Sequence, residues 1–456
     1  MNDVITVLRQ QRAEHVERLQ AWLRIPSVST DTQRRADVRR AADFIADELR
    51  AHGFTTEVHP TAGHPIVLAE WCGAPGAPTL LVYGHYDVQP PDPVELWRHG
   101  PFEPTQEGRK LVARGATDDK GQLLALVRGI GGRLAHFAEL PVNVKFLIEG
   151  EEEIGSQNLV PFIEAHRERL RADIALIADT SQFGPGLPAI TVGLKGLCYL
   201  EVELFGPAMD LHSGSFGGAV ANPANVLCSL IGKLHDEHGR VLIPGFYDDV
   251  VELTAAERAA IRALPFDESE FQRSVGVRTL FGETGYSTLE RKWARPTLDV
   301  NGLLSGWTGE GAKTVLPARA LAKFSMRLVP NQRPDRIRDL AVAFLRELCP
   351  ATVRLEVRSL HGAEPVLVPS SGPYFQAAAR AMELGFGRRP VLIREGGSIP
   401  VVSDFKRLLG LDSILMGLGL PDDGAHSPNE KFDLDDYQRG IETAAHLLDE
   451  LAQHRP

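Results

Sequence analysis

The sequence predicts an α/β protein in which a mostly parallel-sheet domain is interrupted by an inserted α+β domain. Three observations carry this. Short apolar runs bounded by turns alternate with helix-length amphipathic segments before about residue 190 and again towards the C-terminus. From about 191 to 358 the strand-like segments instead alternate polar and apolar residues, as strands with one exposed face do. At 456 residues, the chain is too long for one core of ordinary size. The expected domains are 1–190 with 359–456, and 191–358 inserted between them.

Taken in order, "MNDVITVLRQQRAEHVERLQAWLRIPSVS" is amphipathic and charged throughout, with no apolar centre of a secretion signal. Residues 38–52 put Val38, Ala41, Ala42, Ile45 and Leu49 at helical spacing, with Gly53 as the stop. "TLLVYG" (79–84), "VNVKFLIEG" (142–150) and "DIALIAD" (173–179) are bounded apolar runs of buried strands, and "KGQLLALVRGIGGRLAHF" is a helix between the first two. Strand–helix–strand order implies right-handed crossovers and a largely parallel sheet. In the middle, "CYLEVELFG", "RALAKFSMRLVP" and "TVRLEVRSL" read as half-exposed strands, with helices near 221–238 and 334–348. The segment 243–295 is rich in charge and loop residues and yields no fold assignment. "RPVLIREGG" and "DSILMGLG" read as strands, and 434–452 as a closing amphipathic helix.

Composition narrows the function. An apolar fraction of 43% is that of an ordinary globular protein, and a net charge of −11 argues against nucleic-acid and anionic-membrane partners. No apolar span reaches membrane length. Cys72, Cys198, Cys228 and Cys349 are scattered without metal or redox spacing, so they read as reduced core thiols of a cytoplasmic protein.

The informative pattern lies at the carboxyl end of each strand. In open parallel sheets, ligands bind outside those ends. "TLLVYG" runs into "HYD", "VKFLI" into "EGEEE", "IALIA" into Asp179, and "DSILMGLG" is followed shortly by "DDGAH". A lone His85 is more often structural, and a lone Asp179 a helix cap. Four strand ends delivering His or carboxylate to one rim are harder to explain blandly. "RGATDDKG" (114–121) adds two Asp where a helix cap needs one. Two imidazoles among several carboxylates are the donor set expected for a pair of divalent ions. In "HYD", the i, i+2 spacing allows Asp87 to orient His85. The charge of such ions would also offset the carboxylates crowded into "FLIEGEEEIGS" (146–156).

The motifs "GHYDVQP", "RGATDDKG", "EGEEEIGS", "DLHSGSFGG", "REGGSIP" and "GAHSPNEK" together resemble those of the two-metal zinc exopeptidases. That family includes carnosinase-type dipeptidases, carboxypeptidase G, aminoacylase and succinyl-diaminopimelate desuccinylase. The similarity runs in order from about residue 20 to the C-terminus. Carried across by position, it makes His85 and Asp179 ligands of one metal, Glu153 and His426 ligands of the other, and Asp118 the bridge. Asp87 supports His85, and Glu152 matches the general base. Placing the motif's "GS" on Gly155–Ser156 fixes this numbering; Glu151 and Asp119 then receive no role. The resemblance implies a catalytic outer domain and an inserted lid or dimerisation domain. It also implies that His212 of "DLHSG" stabilises the oxyanion, acting on the metal site of the partner chain in a homodimer.

The forms "HYDVQP", "TDDKG" and "EEIGS" look closest to the dipeptidase branch. There, a free C-terminal carboxylate is held by an arginine and a serine–glycine loop, matched here by Arg327, Gly397 and Ser398, with Thr314 matching a substrate-contacting threonine. The expected activity is hydrolysis of a dipeptide or short peptide next to a free carboxylate, by a water shared between two divalent ions. Zinc is the expected metal, and manganese or cobalt would satisfy the same donors. N-acyl amino-acid deacylation with the same site is the alternative, and a non-catalytic metal- or amino-acid-binding relative is a second. Neither the preferred peptide nor the physiological metal is readable from the sequence.

Overall fold

The computed structural model describes residues 2–454. The chain divides into two compact units: 1–192 with 368–393 and 401–456, and 193–367 with 394–400. The first unit is built on a sheet whose four central strands are parallel, in the order Asn143–Glu149, Thr79–His85, Ile174–Ile177, Ser413–Gly417. Antiparallel strands flank them: Ile66–Trp71 and then Thr55–His59 on one side, Ala189–Leu194 on the other. The central runs are apolar because both faces are covered. Leu80 and Val82 enter one core beside Phe146, Leu176 and Ile414, while Tyr83 is buried on the opposite face and packs edge-on to Phe405.

Helices supply the rest of that core. Arg35–Ala51 contributes Val38, Ala41, Ile45 and Leu49; Lys120–Phe137 contributes Leu124, Val127 and Ile130; Leu434–Ala452 contributes Ile441, Ala444 and Leu448. The last two pack against each other at small residues. An added Cβ on Gly129 would lie 2.2 Å from the Ile441 carbonyl oxygen and 2.7 Å from Ala444 Cβ.

The second unit is α+β. Its antiparallel sheet runs in the order Thr297–Ser305, Arg319–Leu328, Gly196–Phe205, Arg354–Ala363. Along Arg319–Leu328, the alternate residues Ala320, Ala322, Phe324, Met326 and Leu328 are buried. They form a core with Leu227 and Leu230 of the helix Pro223–Ile231 and with Ile337, Ala341 and Leu345 of the helix Pro334–Leu348.

Several expectations need adjusting. A boundary at 358 would cut the strand Arg354–Ala363, which stays paired with Gly196–Phe205 as far as Ala363 opposite Leu197. Residues 394–400 lie with the second unit because Lys195 N–H donates to the Glu395 carbonyl at 3.1 Å and the Ser398 hydroxyl to the Lys195 carbonyl at 2.5 Å. The helix expected over 221–238 ends at Ile231, capped by Gly232. Of the four cysteines, only Cys198 is buried, so they are not core thiols as a set; all four are free. The unassigned stretch 243–295 contains three short helices, Ala255–Arg262, Glu268–Ser274 and Thr288–Ala294. Two open with capping boxes, Thr254 with Glu257 and Ser287 with Glu290. Buried Arg295 ties the segment together through Glu283 at 2.7 and 2.9 Å and Glu252 at 2.7 Å. Among the described residues, no helix is long and apolar enough to cross a membrane.

The Gly129 contact makes a decisive substitution. Ala in a helix interior normally gains up to about 1 kcal/mol over Gly. Here a backbone oxygen blocks the methyl group, so Gly129→Ala should destabilise by about 1–3 kcal/mol, seen as a lower Tm in thermal denaturation. An unchanged or raised Tm would show that the two helices part at no cost.

Candidate metal centre

The parallel strands end at one rim, and their last residues and following loops place the polar groups. His85 closes Thr79–His85, Glu149 closes Asn143–Glu149, Asp179 follows Ile174–Ile177, and His426 lies in the turn after Ser413–Gly417. His426 has a left-handed backbone, φ 62. Two groups of three side chains form: His85, Asp118 and Asp179, and Asp118, Glu153 and His426, with ligand atoms all within 4.8 Å in each. Asp118 belongs to both. Its Oδ1 lies 3.2 Å from His85 Nε2 and its Oδ2 2.9 Å from His426 Nε2. Asp179 Oδ2 is 3.9 Å from His85 Nε2, and Glu153 Oε2 is 3.4 Å from His426 Nε2.

Asp87 organises this rim without joining either group. It is fully buried, and its Oδ1 lies 3.3 Å from His85 Nδ1, whose ring nitrogen also meets the Asp87 carbonyl at 3.1 Å. Donation from Nδ1 aims Nε2 at Asp118 and Asp179, the tautomer a metal ligand needs once the ring is neutral; without a metal, and against burial, these carboxylates raise His85 well above the usual histidine range. The carboxylate of Asp87 also accepts the N–H groups of Glu152 at 3.3 Å and Glu153 at 3.2 Å, which fixes the turn carrying both. Asp119, which sequence reading left without a role, accepts the His85 N–H at 3.2 Å.

The four glutamates of "EGEEE" settle their burial in different ways. Glu149 Oε1 accepts the hydroxyls of Tyr83 at 2.6 Å and Ser156 at 2.8 Å, and burial pushes its carboxyl up to about 8, so it stays largely protonated at neutrality. Glu151 is stapled by the His64 N–H at 2.9 Å and by Asn158 through its N–H at 3.2 Å and Nδ2 at 2.7 Å. Neither needs a cation, which corrects the expectation that metal charge offsets the whole run. Among the described residues, the Glu153 carboxylate takes only the Gln89 amide, at 2.7 Å on Oε2. Burial pushes Glu152 up to about 7 and Glu153 up to about 8, and holds Asp179 well above the carboxylate range. Against burial, the His426 and His85 rings hold Asp118 well below it. His426 rises to about 9, chiefly through its hydrogen bond with Asp118.

A metal fits these residues. His85 Nε2 and Glu153 Oε1 are buried without a hydrogen-bond partner, each within a three-ligand group. Such orphaned atoms are costly, and one in each ligand group suits a cation in each. The donors, imidazole nitrogen and carboxylate oxygen, suit borderline divalent ions.

The sequence profile of the Peptidase family M20/M25/M40 matches residues 81–450. The chain belongs to this family. It is accordingly a metallopeptidase, a hydrolase. It is 34% identical over 472 residues to the Cys-Gly metallodipeptidase dug1 of Schizosaccharomyces pombe, an alignment covering 100% of this chain and 99% of the relative. The structure of human carnosine dipeptidase 1 superposes with a TM-score of 0.89 at 33% identity, covering 99% of each chain. An M20 family metallo-carboxypeptidase, Sso-CP2 from Sulfolobus solfataricus, does so with 0.87 at 35% identity, covering 97% of this chain and 100% of that one.

The remaining site candidates of this M20 chain lie in the second unit, in two places. His212 pairs with Val315 in a short antiparallel bridge, and the Ser213 N–H donates to the Thr314 carbonyl at 3.1 Å, so His212 and Thr314 are neighbours. Both are exposed. His212 Nδ1 accepts the Gly214 N–H at 3.0 Å, which leaves the proton on Nε2 as an outward donor. Elsewhere, Arg327 Nη1 donates to the Ser398 hydroxyl at 3.4 Å, and Gly397 lies exposed beside it. Among the described residues, Arg327 has no carboxylate within 4.0 Å. Sequence reading passed over Glu430, the acidic residue of "GAHSPNEK", from which only the histidine was taken.

The proton inventory predicts how metal binding depends on pH. Ligands bind as imidazole and carboxylate, and His426 at about 9 and Glu153 at about 8 hold protons in the metal-free protein near neutrality. Metal affinity should therefore rise with pH up to about 9 and fall below it, with at least about one proton released per chain at neutral pH. Calorimetry in two buffers of different ionisation enthalpy measures the release directly. Binding without it would mean that these groups are already deprotonated.

Proposed function

We propose that this chain is a dipeptidase that hydrolyses the amide bond of a dipeptide or short peptide bearing a free C-terminal carboxylate. The carrying observation is that Asp118 offers one oxygen to each of two ligand groups, beside a half-buried glutamate that joins neither. Both named relatives that hydrolyse dipeptides align over nearly the whole chain.

His85, Asp118 and Asp179 would hold one ion and Asp118, Glu153 and His426 the other, with zinc proposed and manganese or cobalt compatible. Bound there, the two ions would lower the pKa of a shared water and polarise the scissile carbonyl. Glu152 takes the water proton and passes it to the leaving amine; its carboxyl, raised to about 7 by burial, is matched to both transfers near neutral pH. Asp87 fixes the turn from which Glu152 projects and the ring of His85. Arg327, free of any carboxylate, takes that of the substrate, with Ser398 and Gly397 shaping the loop beside it and Thr314 adding a contact. A cytoplasmic enzyme accords with four free thiols.

The same reading includes a homodimer in which His212 of one chain donates from Nε2 to the oxyanion formed at its partner's site. The second unit supports it. Thr297–Ser305 is an edge strand, and its Val300, Leu303 and Leu304 are 41%, 56% and 58% exposed. An unpaired apolar edge is costly in a monomer and suited to a partner.

Two experiments test this. Glu152→Gln should keep two metals per chain, by mass spectrometry, while turnover of free dipeptides falls about 10²–10⁴-fold. Near-native turnover would remove Glu152 from proton transfer. The same assay should favour free dipeptides over N-acyl amino acids and over C-terminal amides; preference for the acyl compounds would make the enzyme a deacylase. Mixing His212→Ala chains with Glu152→Gln chains should then restore up to about half the native activity per heterodimer, because one composite site carries neither defect. No recovery despite proven exchange would place His212 outside the partner's site.

A further inference from the structure

Glu430 is a fully buried carboxylate beside the proposed metal ligands, and nothing in the proposed mechanism uses it. Its Oε2 accepts Arg114 Nη1 at 2.7 Å and the Gly115 N–H at 2.8 Å. Its Oε1 accepts the N–H groups of Thr117 at 2.9 Å and Asp118 at 3.1 Å. Residue and partner are both fully buried, and the Arg114 guanidinium is further held over the Trp97 ring and by the Pro90 carbonyl at 3.2 Å. Three of the four donors are backbone groups of the loop that ends in Asp118.

The other end of the same clasp is the turn that carries His426. The Ala113 N–H donates to the Glu430 carbonyl at 3.0 Å, and the Thr117 hydroxyl to Asp423 Oδ2 at 3.1 Å. Asp423 in turn accepts Lys431 Nζ at 2.5 Å and the Leu420 N–H at 2.7 Å. The loop 113–118 and the turn 423–431 are therefore one hydrogen-bonded unit, and Glu430 is its centre. His426 and Asp118, 2.9 Å apart, sit on its two halves. By contrast, His85 and Asp179 are set by strand ends, with Asp87 and Asp119 on His85, and none of these bonds involves Glu430.

We infer that Glu430 is a positioning residue that sets the separation of Asp118 and His426, and so governs the Asp118–Glu153–His426 ion more strongly than the ion for which Asp118 joins His85 and Asp179. This rests on the two-ion reading of the site. The physical reason is that a carboxylate is acceptor-only, so it alone can take four donors without a competing N–H. A glutamine of the same shape would turn an amide N–H₂ against backbone N–H groups. The loop must then move, which shifts Asp118 relative to His426, or leave buried donors unpaired, which loosens the loop that holds Asp118. Loss of such outer partners costs about 10–100-fold in metal affinity.

The test is metal titration of the metal-free Glu430→Gln chain with Zn²⁺, by calorimetry, beside the unmodified protein. The expected result is one ion weakened about 10–100-fold and the other, which shares Asp118 but not His426, weakened by a clearly smaller factor. Turnover should be depressed at stoichiometric zinc and recover as zinc is raised, a rescue that a general folding defect would not show. Should Glu430→Gln fail to fold, Thr117→Val removes only the hydroxyl bond to Asp423 and should weaken the two ions in the same unequal order by smaller factors. Two ions bound with unchanged affinity, or both weakened alike, would overturn the assignment. Fewer than two ions in the unmodified protein would instead overturn the two-ion reading beneath it.

Discussion

One carboxylate sets the terms for the rest of the centre. Asp118 presents an oxygen to each of two histidines, 3.2 Å from one and 2.9 Å from the other. Placing a charged group between two ligand sets inside a protein demands that the backbone under it be immobile, because a shift of an ångström would favour one set over the other. The first unit meets that demand from both directions. The parallel strands fix His85 and Asp179 at their carboxyl ends, and the loop 113–118 is held against the turn 423–431.

The local electrostatics are organised around the same group. Burial raises Asp179 well above the carboxylate range, Glu152 to about 7 and Glu153 to about 8. Asp118, between the two imidazoles, is instead held well below that range. In the metal-free protein, Glu153 and His426 therefore hold protons where a cation would go. Glu149 and Glu151 lie outside this competition because hydroxyl and amide donors satisfy them. What reads in sequence as one block of negative charge is in the fold four separate solutions to burying a glutamate.

How much of this the sequence disclosed depended on whether the cause was local. Apolar runs such as "TLLVYG" and "DIALIAD" are local, so the strands and the rim on which His85 and Asp179 fall could be read directly. The edge of the second unit could not, because Arg354–Ala363 is held by pairing with residues about 150 positions earlier. Residues 243–295 resisted for the same reason: Arg295 finds Glu252 across 43 positions, and Arg258 finds Glu290 across 32. The capping boxes at Thr254 and Ser287 were legible signals that would have placed two of its helices. Glu430 stands 312 to 316 positions from the donors it gathers, and no spacing rule reaches that far. The roles of Glu152, His212 and Arg327 rest on resemblance and chemistry, since each is ordinary in its own segment.

Asp118 must be shared by two ions, and crystallography with anomalous scattering at a metal absorption edge tests this most directly. The prediction is two peaks about 3.5–4 Å apart. One should sit among His85, Asp118 and Asp179, the other among Asp118, Glu153 and His426, with one oxygen of Asp118 on each. A single fully occupied peak under saturating metal, or two peaks of which only one touches Asp118, would contradict it.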